Sequence, residues 1–201
     1  MPPTDDLATA WTTIVHRLAA TAPASFEALG PPATDADLRA LADALGRRVP
    51  ECLETLLRLN NGSTAKDGVQ ILQGHASPVS HAHSRLLPGG KVLLDCRKIG
   101  QQYGRYVAIA RENGDADWWR PGWIPFAEET EGHEGFLLDS GSAANPVLRH
   151  TETDHPRPYA PSLAAFVAHL GKALADGGNP RGTPFAGCHV RVVDGGLMWE
   201  L

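Results

Sequence analysis

Residues 117–139 read DWWRPGWIPFAEETEGHEGFLLD, and this stretch constrains the fold more than any other, because three of the five tryptophans stand in it beside two prolines. Arg120-Pro121-Gly122 predicts a turn: proline sets φ at one turn position and glycine tolerates the strained one. Trp123-Ile124-Pro125-Phe126 then reads as a short strand. Its proline has no N–H to give to a ladder, which confines the strand to a sheet edge. Trp123 and Pro125 should face one way and Ile124 and Phe126 the other, so these side chains cannot all share one core. A polar run, 128–135, leads to Phe136-Leu137-Leu138 and Asp139, giving two strands joined by an acidic loop.

Around this block, 201 residues are enough for one sizeable hydrophobic core without help from disulfides or metal. The three cysteines, Cys52, Cys96 and Cys188, are odd in number and widely spaced, which fits buried thiols and neither a disulfide framework nor a zinc doublet. A net charge of -5 disfavours a general nucleic-acid binder, which needs cations to neutralise phosphates. It leaves open plain solubility or a basic protein partner. The opening MPPTDDLATA has no basic region before an apolar run, and no uninterrupted apolar stretch spans a bilayer, so cytoplasmic residence is the expectation.

Helical periodicity recurs in four places. Leu7, Trp11, Ile14, Val15 and Leu18 mark a first helix. Thr34 with Asp37 forms a capping box for a second, with Leu38, Leu41, Ala42 and Leu45 inward and Gly46 as its stop. Pro50 opens a third, with Cys52, Leu53, Leu56 and Leu57 inward and its end at Asn60-Asn61-Gly62, where left-handed backbone is tolerated. These two helices should pack side by side. Leu163, Phe166, Val167, Leu170 and Leu174 mark the last helix, from Pro161-Ser162 to Gly177. Between 92 and 110 the pattern fits either a helix broken at Gly104 or two strands. Residues 69–72 and 147–150 read as strands, 74–90 and 154–161 as loops, and 190–201 as a hairpin. The expected organisation is an N-terminal helix over 1–29, a main domain over 30–178 and a hairpin extension over 179–201 packed on it.

Candidate chemistry is sparse. No G-x-S-x-G elbow, H-E-x-x-H, phosphate loop or dinucleotide fingerprint is present. His75, His81 and His83 share one loop and suit a metal, a solvated surface or a partner contact. His133, flanked by Glu131 and Glu134, is a group able to titrate near neutrality. Glu128, Glu129, Glu131 and Glu134 fit three readings: catalytic carboxylates, solvated surface, or an acidic rim that meets a partner. Trp119 is a candidate for partial exposure and partner contact, whereas Trp123 and Phe126 read as core.

Three segments resemble the SMI1/KNR4 family, grouped with the SUKH superfamily. The first is Ala33 to Gly62, where a short helix ending at Leu45-Gly46 leads through Val49-Pro50 and Leu53 to Leu56-Leu57-Arg58-Leu59-Asn60-Asn61-Gly62. The second is Trp119-Arg120-Pro121-Gly122-Trp123-Ile124-Pro125-Phe126-Ala127 with Phe136-Leu137-Leu138-Asp139, and the third is Tyr159-Ala160-Pro161-Ser162-Leu163 to Phe166. The resemblance implies an α+β domain, a twisted and mainly antiparallel sheet flanked by helices, with no enzymatic activity, metal or cofactor. Bacterial members of such a family look like immunity proteins that bind and neutralise toxins, nucleases and deaminases among them, while fungal members are scaffolds. It implies structural roles for Pro50, Gly62, Pro121, Gly122, Trp123, Pro125, Phe126, Asp139, Ser162, Leu163 and Phe166. Partner-contact candidates are Trp119, Glu128, Glu129, Glu131 and Glu134. A protein-binding module is the leading expectation; a scaffold without a toxin, and a small-molecule binder or enzyme using the histidine loop, are its rivals. The oligomeric state stays open.

Overall fold

The Trp–Pro block forms two neighbouring strands inside a sheet of five. The structure is a computed structural model whose description covers residues 3–72, 74–115, 117–130, 132, 134–177 and 185–200, with the side chains of residues 3–5 and of Leu72 outside it. In chain order come helices α1 (Pro3–Thr21), α2 (Pro23–Glu27), α3 (Asp35–Leu45) and α4 (Glu51–Leu59). Strands β1 (Gly68–Leu72) and β2 (His75–Val79), a short 3-10 turn at Ala82–Ser84, β3 (Lys91–Leu93) and α5 (Cys96–Asn113) follow. Then come β4 (Trp123–Glu129), β5 (Glu134–Asp139), β6 (Val147–Thr151), β7 (Arg157–Ala160), α6 (Leu163–Asp176), β8 (His189–Val193) and β9 (Gly196–Glu200). The main sheet runs β3-β4-β5-β6-β7 with every neighbour antiparallel; β1-β2 and β8-β9 are separate hairpins.

Two cores form on the two faces of the main sheet. Ile124, Phe126, Phe136, Leu138 and Val147 join α1, α4 and α6 in the larger core, where Phe166 of α6 stands edge-on to Phe126 and Phe136. Trp123, Leu137 and Leu148 point the other way and meet Tyr106, Ala110 and Trp119. The expected split of Trp123 from Ile124 and Phe126 follows from strand alternation.

Pro125 does not make β4 an edge strand, because β4 lies between β3 and β5. The proline is accommodated in two ways. β3 pairs only with 127–129, so nothing asks Pro125 for an N–H on that side, and the register to β5 slips between Pro125 and Ala127. This bulge reverses the alternation. Ala127 falls into the larger core with Phe126, and Glu128 turns to the opposite face.

The helix ends carry the expected chemistry. Thr34 and Asp37 make the reciprocal capping box, Gly46 takes φ 65° after α3, and the Ser162 side chain accepts from Ala165 N–H at the start of α6. Other expectations are corrected. α3 packs on α5 and α4 on α1, so the two are not side-by-side partners. α4 closes on Asn60 in extended backbone, while Gly62, with φ 79°, serves a different need: a Cβ there would stand 2.4 Å from Asp95 N. Residues 92–110 contain both a strand and a helix, and Gly104 lies within α5 without breaking it. Residues 74–90 hold β2 and the 3-10 turn, residues 157–160 hold β7, and residues 23–27 are helical. Among the described residues no helix is long and apolar enough to cross a membrane.

Candidate functional site

The three-strand row Glu128, Gly135, His150 explains how a carboxyl group comes to be buried in this sheet. Glu128 pairs with Gly135, and Gly135 pairs with His150. A Cβ at Gly135 would lie 2.7 Å from His150 Nε2 and 2.8 Å from Glu128 Cγ, so only glycine leaves room for the two flanking side chains. Glu128 Oε1 stands 3.6 Å from His150 Nε2 across that gap. Above it, Tyr106 of α5 donates its hydroxyl to Glu128 Oε1 at 2.8 Å, and Gln102, one turn earlier on α5, donates its amide to Oε2 at 2.6 Å. Glu128 is 2% exposed and His150 5%. Burial, then the adjoining Glu128 charge and hydrogen bond, push the Tyr106 phenol well above its ordinary value.

Trp119 closes this cluster from the side. Its ring lies 4.3 Å from that of Tyr106 and edge-on to His150 and Trp123. At 4% exposure its ring belongs to the second core rather than to the free surface. The physical reason is nonlocal: Tyr106 and His150 arrive from α5 and β6 to enclose it.

In the acidic run, Glu128, Glu129 and Glu134 each have partners within the chain. Glu128 and Glu129 end β4, and Glu134 begins β5. Lys91, 2% exposed, lies over the Phe136 ring with its ammonium 3.7 Å from Glu129 and 3.2 Å from Glu134. Arg149 adds a second cation 2.8 Å from Glu134. Burial pulls the Glu134 carboxyl upward, but Arg149 and Lys91 together outweigh it and hold it below the usual carboxylate range. Glu131 and His133 lie outside the described residues.

Where α5 crosses the end of β4, a cleft of about 260 Å³ opens. Lys98, Gln101, Gln102 and Arg105 of α5 form one wall, since positions 98, 102 and 105 share a helix face. Val92 and Leu94 form an apolar part, and Glu128, Glu129 and Thr130 the opposite side. His81 reaches the same cleft from the histidine loop, held at φ 58° with its N–H donated to Asp67 Oδ1 at 2.9 Å. The three histidines do not converge. His75 is exposed on β2, while His83 is buried between Gly68 and Gly196, 3.7 Å from Asp194. Among the described residues no group of three or more His, Cys, Asp or Glu could hold a metal ion.

Pro121, Gly122 and Asp139 take part in hydrogen bonds around their turns. Pro121 O accepts from the Tyr103 hydroxyl at 3.2 Å and from Arg47, and Gly122 O accepts from Ser140 through both backbone and hydroxyl. Asp139 Oδ1 accepts from Gly141 N–H at 3.0 Å and fastens the next turn. Pro50 is the residue before α4, and Leu163 and Phe166 are fully buried. The cleft residues Lys98, Gln102 and Arg105, with Tyr106, Gly135 and His150 behind them, gave no sequence signal beyond the apolar period of α5.

Together these features define an α+β domain with an antiparallel sheet, helices packed on both of its faces and a polar cleft where one helix crosses a strand end. Residues 32–169 match the model of the SMI1 / KNR4 family (SUKH-1), which is more than half of the chain, and the chain belongs to that family. Its sequence matches no curated protein.

Proposed function

We propose that this protein is a non-catalytic protein-binding module of the immunity type, one that holds a toxin domain in the cytoplasm of the cell that makes both. The observation that carries the reading is family membership over residues 32–169, a span that contains the main sheet and the cleft. The net charge of -5 supports a basic partner such as a nuclease or deaminase domain, whose phosphate-binding surface would be drawn to it from a distance. The expected acidic contacts narrow accordingly: Glu129, which lines the cleft, and Glu134 form a paired network with Lys91 and Arg149, and Glu128 stands in the cleft wall. Co-expression with basic nuclease and deaminase toxin domains, any found in the neighbouring genes first, tests the reading. Restored growth of a sensitive host and recovery of a one-to-one complex are expected; full killing with no complex would overturn it.

A small-molecule binder has one observation in its favour, the meeting of His81 with Glu128 and Glu129 around one cleft. Metabolite screening by thermal shift checks it, and a shift abolished by His81→Ala would favour it over the protein-binding reading.

A further inference from the structure

The cleft divides its charges unevenly. Its carboxylates are used by the protein itself: Glu128 accepts from Tyr106 and Gln102, and Glu129 lies beside Lys91. Its cations are not. Lys98, half-buried, and Arg105, exposed, form no ion pair with any described residue, as is also true of Arg97 and Arg111 on the same helix, but of these four only Lys98 and Arg105 line the cleft. The Gln101 amide oxygen accepts from Arg97, and its NH2 group donates to no described residue. Lys98 and Arg105 are seven residues apart on α5, about 10 Å along the axis, so their long side chains reach a single group held between them.

We propose that this cleft receives an acidic side chain presented on a turn of the bound protein, clamped between Lys98 and Arg105 and hydrogen-bonded by Gln101. The proposal rests on the reading that the chain binds a protein, and it names the chemistry of one contact: a carboxylate set in a partner surface that is otherwise free to be basic. A doubly charged phosphate fits less well, because Glu128 and Glu129 stand in the facing wall and repel the second charge. Two cations on a chain of charge -5 are also too few to hold a nucleic-acid backbone. The apolar Val92 and Leu94 suit the methylene stem of glutamate.

The test is an NMR titration of the full-length chain, labelled with nitrogen-15, against the peptide acetyl-Gly-Glu-Glu-Gly-amide. Its Gln-Gln counterpart and inorganic phosphate serve as competing probes. Amide shifts confined to 98–105, His81, 128–130 and Gly132 are expected with the acidic peptide, with half-saturation of about 1 mM. Lys98→Glu with Arg105→Glu should weaken binding at least tenfold, as should the milder Lys98→Gln with Arg105→Gln, in spectra that keep native dispersion. Arg111→Glu, an exposed cation of α5 outside the cleft, should leave it unchanged. Equal shifts with the Gln-Gln peptide, tighter binding of phosphate, shifts elsewhere on the surface, or full binding by the double variants would overturn the proposal. Because the probe is a peptide, the cleft is read without any toxin: failed protection with intact peptide binding would fall on the immunity reading alone.

Discussion

Glu128 accepts hydrogen bonds from two neutral donors, Tyr106 and Gln102, and these offset the cost of burying its carboxyl group. Tyr106→Phe removes one donor while keeping the ring stack on Trp119. A loss of about 1–3 kcal/mol in urea unfolding is expected, the range for a buried acceptor left short of a partner. The same tyrosine sets a limit at high pH. Its folded-state phenol is raised above the ordinary value of 10.0, so its contribution to stability is complete below that value and is lost as pH rises beyond it. Tyr159, also raised by burial, acts in the same direction. The decline in urea midpoint above pH 10 should therefore shrink in Tyr106→Phe but persist in part. At Gly135 the problem is space: Gly135→Ala places a methyl 2.5 Å from Ala127 O and between Glu128 and His150. A cost of about 1–3 kcal/mol, the usual range for overpacking, is expected by thermal or chemical unfolding.

At the scale of elements, the sequence was legible where the chemistry is local. Thr34 and Asp37 are three residues apart, Ser162 stands immediately before its helix, and Gly46 immediately after its own, so the caps of α3 and α6 can be read without knowing the fold. The strands β4 and β5 were equally readable from the Trp–Pro block. What could not be read depends on distant chain. Lys91 meets Glu134 across 43 residues, and His150 stands 3.6 Å from Glu128 across the gap at Gly135, and neither meeting can be read from the acidic run itself. β7 does not read as a strand because Pro158 argues against one, yet it is an edge strand of the sheet, where proline is tolerated. Ser25 shows the same nonlocality. Its buried hydroxyl donates to His83 O and accepts from Leu197 N–H, tying α2 to the histidine loop and to β9. Ser25→Ala strands both buried backbone groups, and a loss of about 1–3 kcal/mol is expected. Faster hydrogen exchange in β8 and β9 should accompany it.

For the whole molecule, charge acts at two ranges. The net -5 favours a basic partner over distances of roughly the Debye length, about 8 Å at physiological ionic strength, while Lys98 and Arg105 present the opposite sign at the cleft itself. Stability carries a charge signature too. Glu134 is held below the ordinary 4.5 by Arg149 and Lys91 against the pull of burial, so its contribution is present above that value and disappears as pH falls through the depressed one. Acid unfolding should therefore begin at higher pH in Arg149→Ala than in the unaltered chain, followed by far-ultraviolet circular dichroism. The central claim is that this sheet and its cleft hold another protein. Isothermal titration of the purified chain with basic nuclease and deaminase toxin domains, any found in the neighbouring genes first, measures it most directly. One-to-one binding with a dissociation constant of about 1 μM or tighter, roughly 8 kcal/mol, is the expected result, weakened at least tenfold by Lys98→Glu with Arg105→Glu. No heat of binding from a folded, active toxin would contradict it.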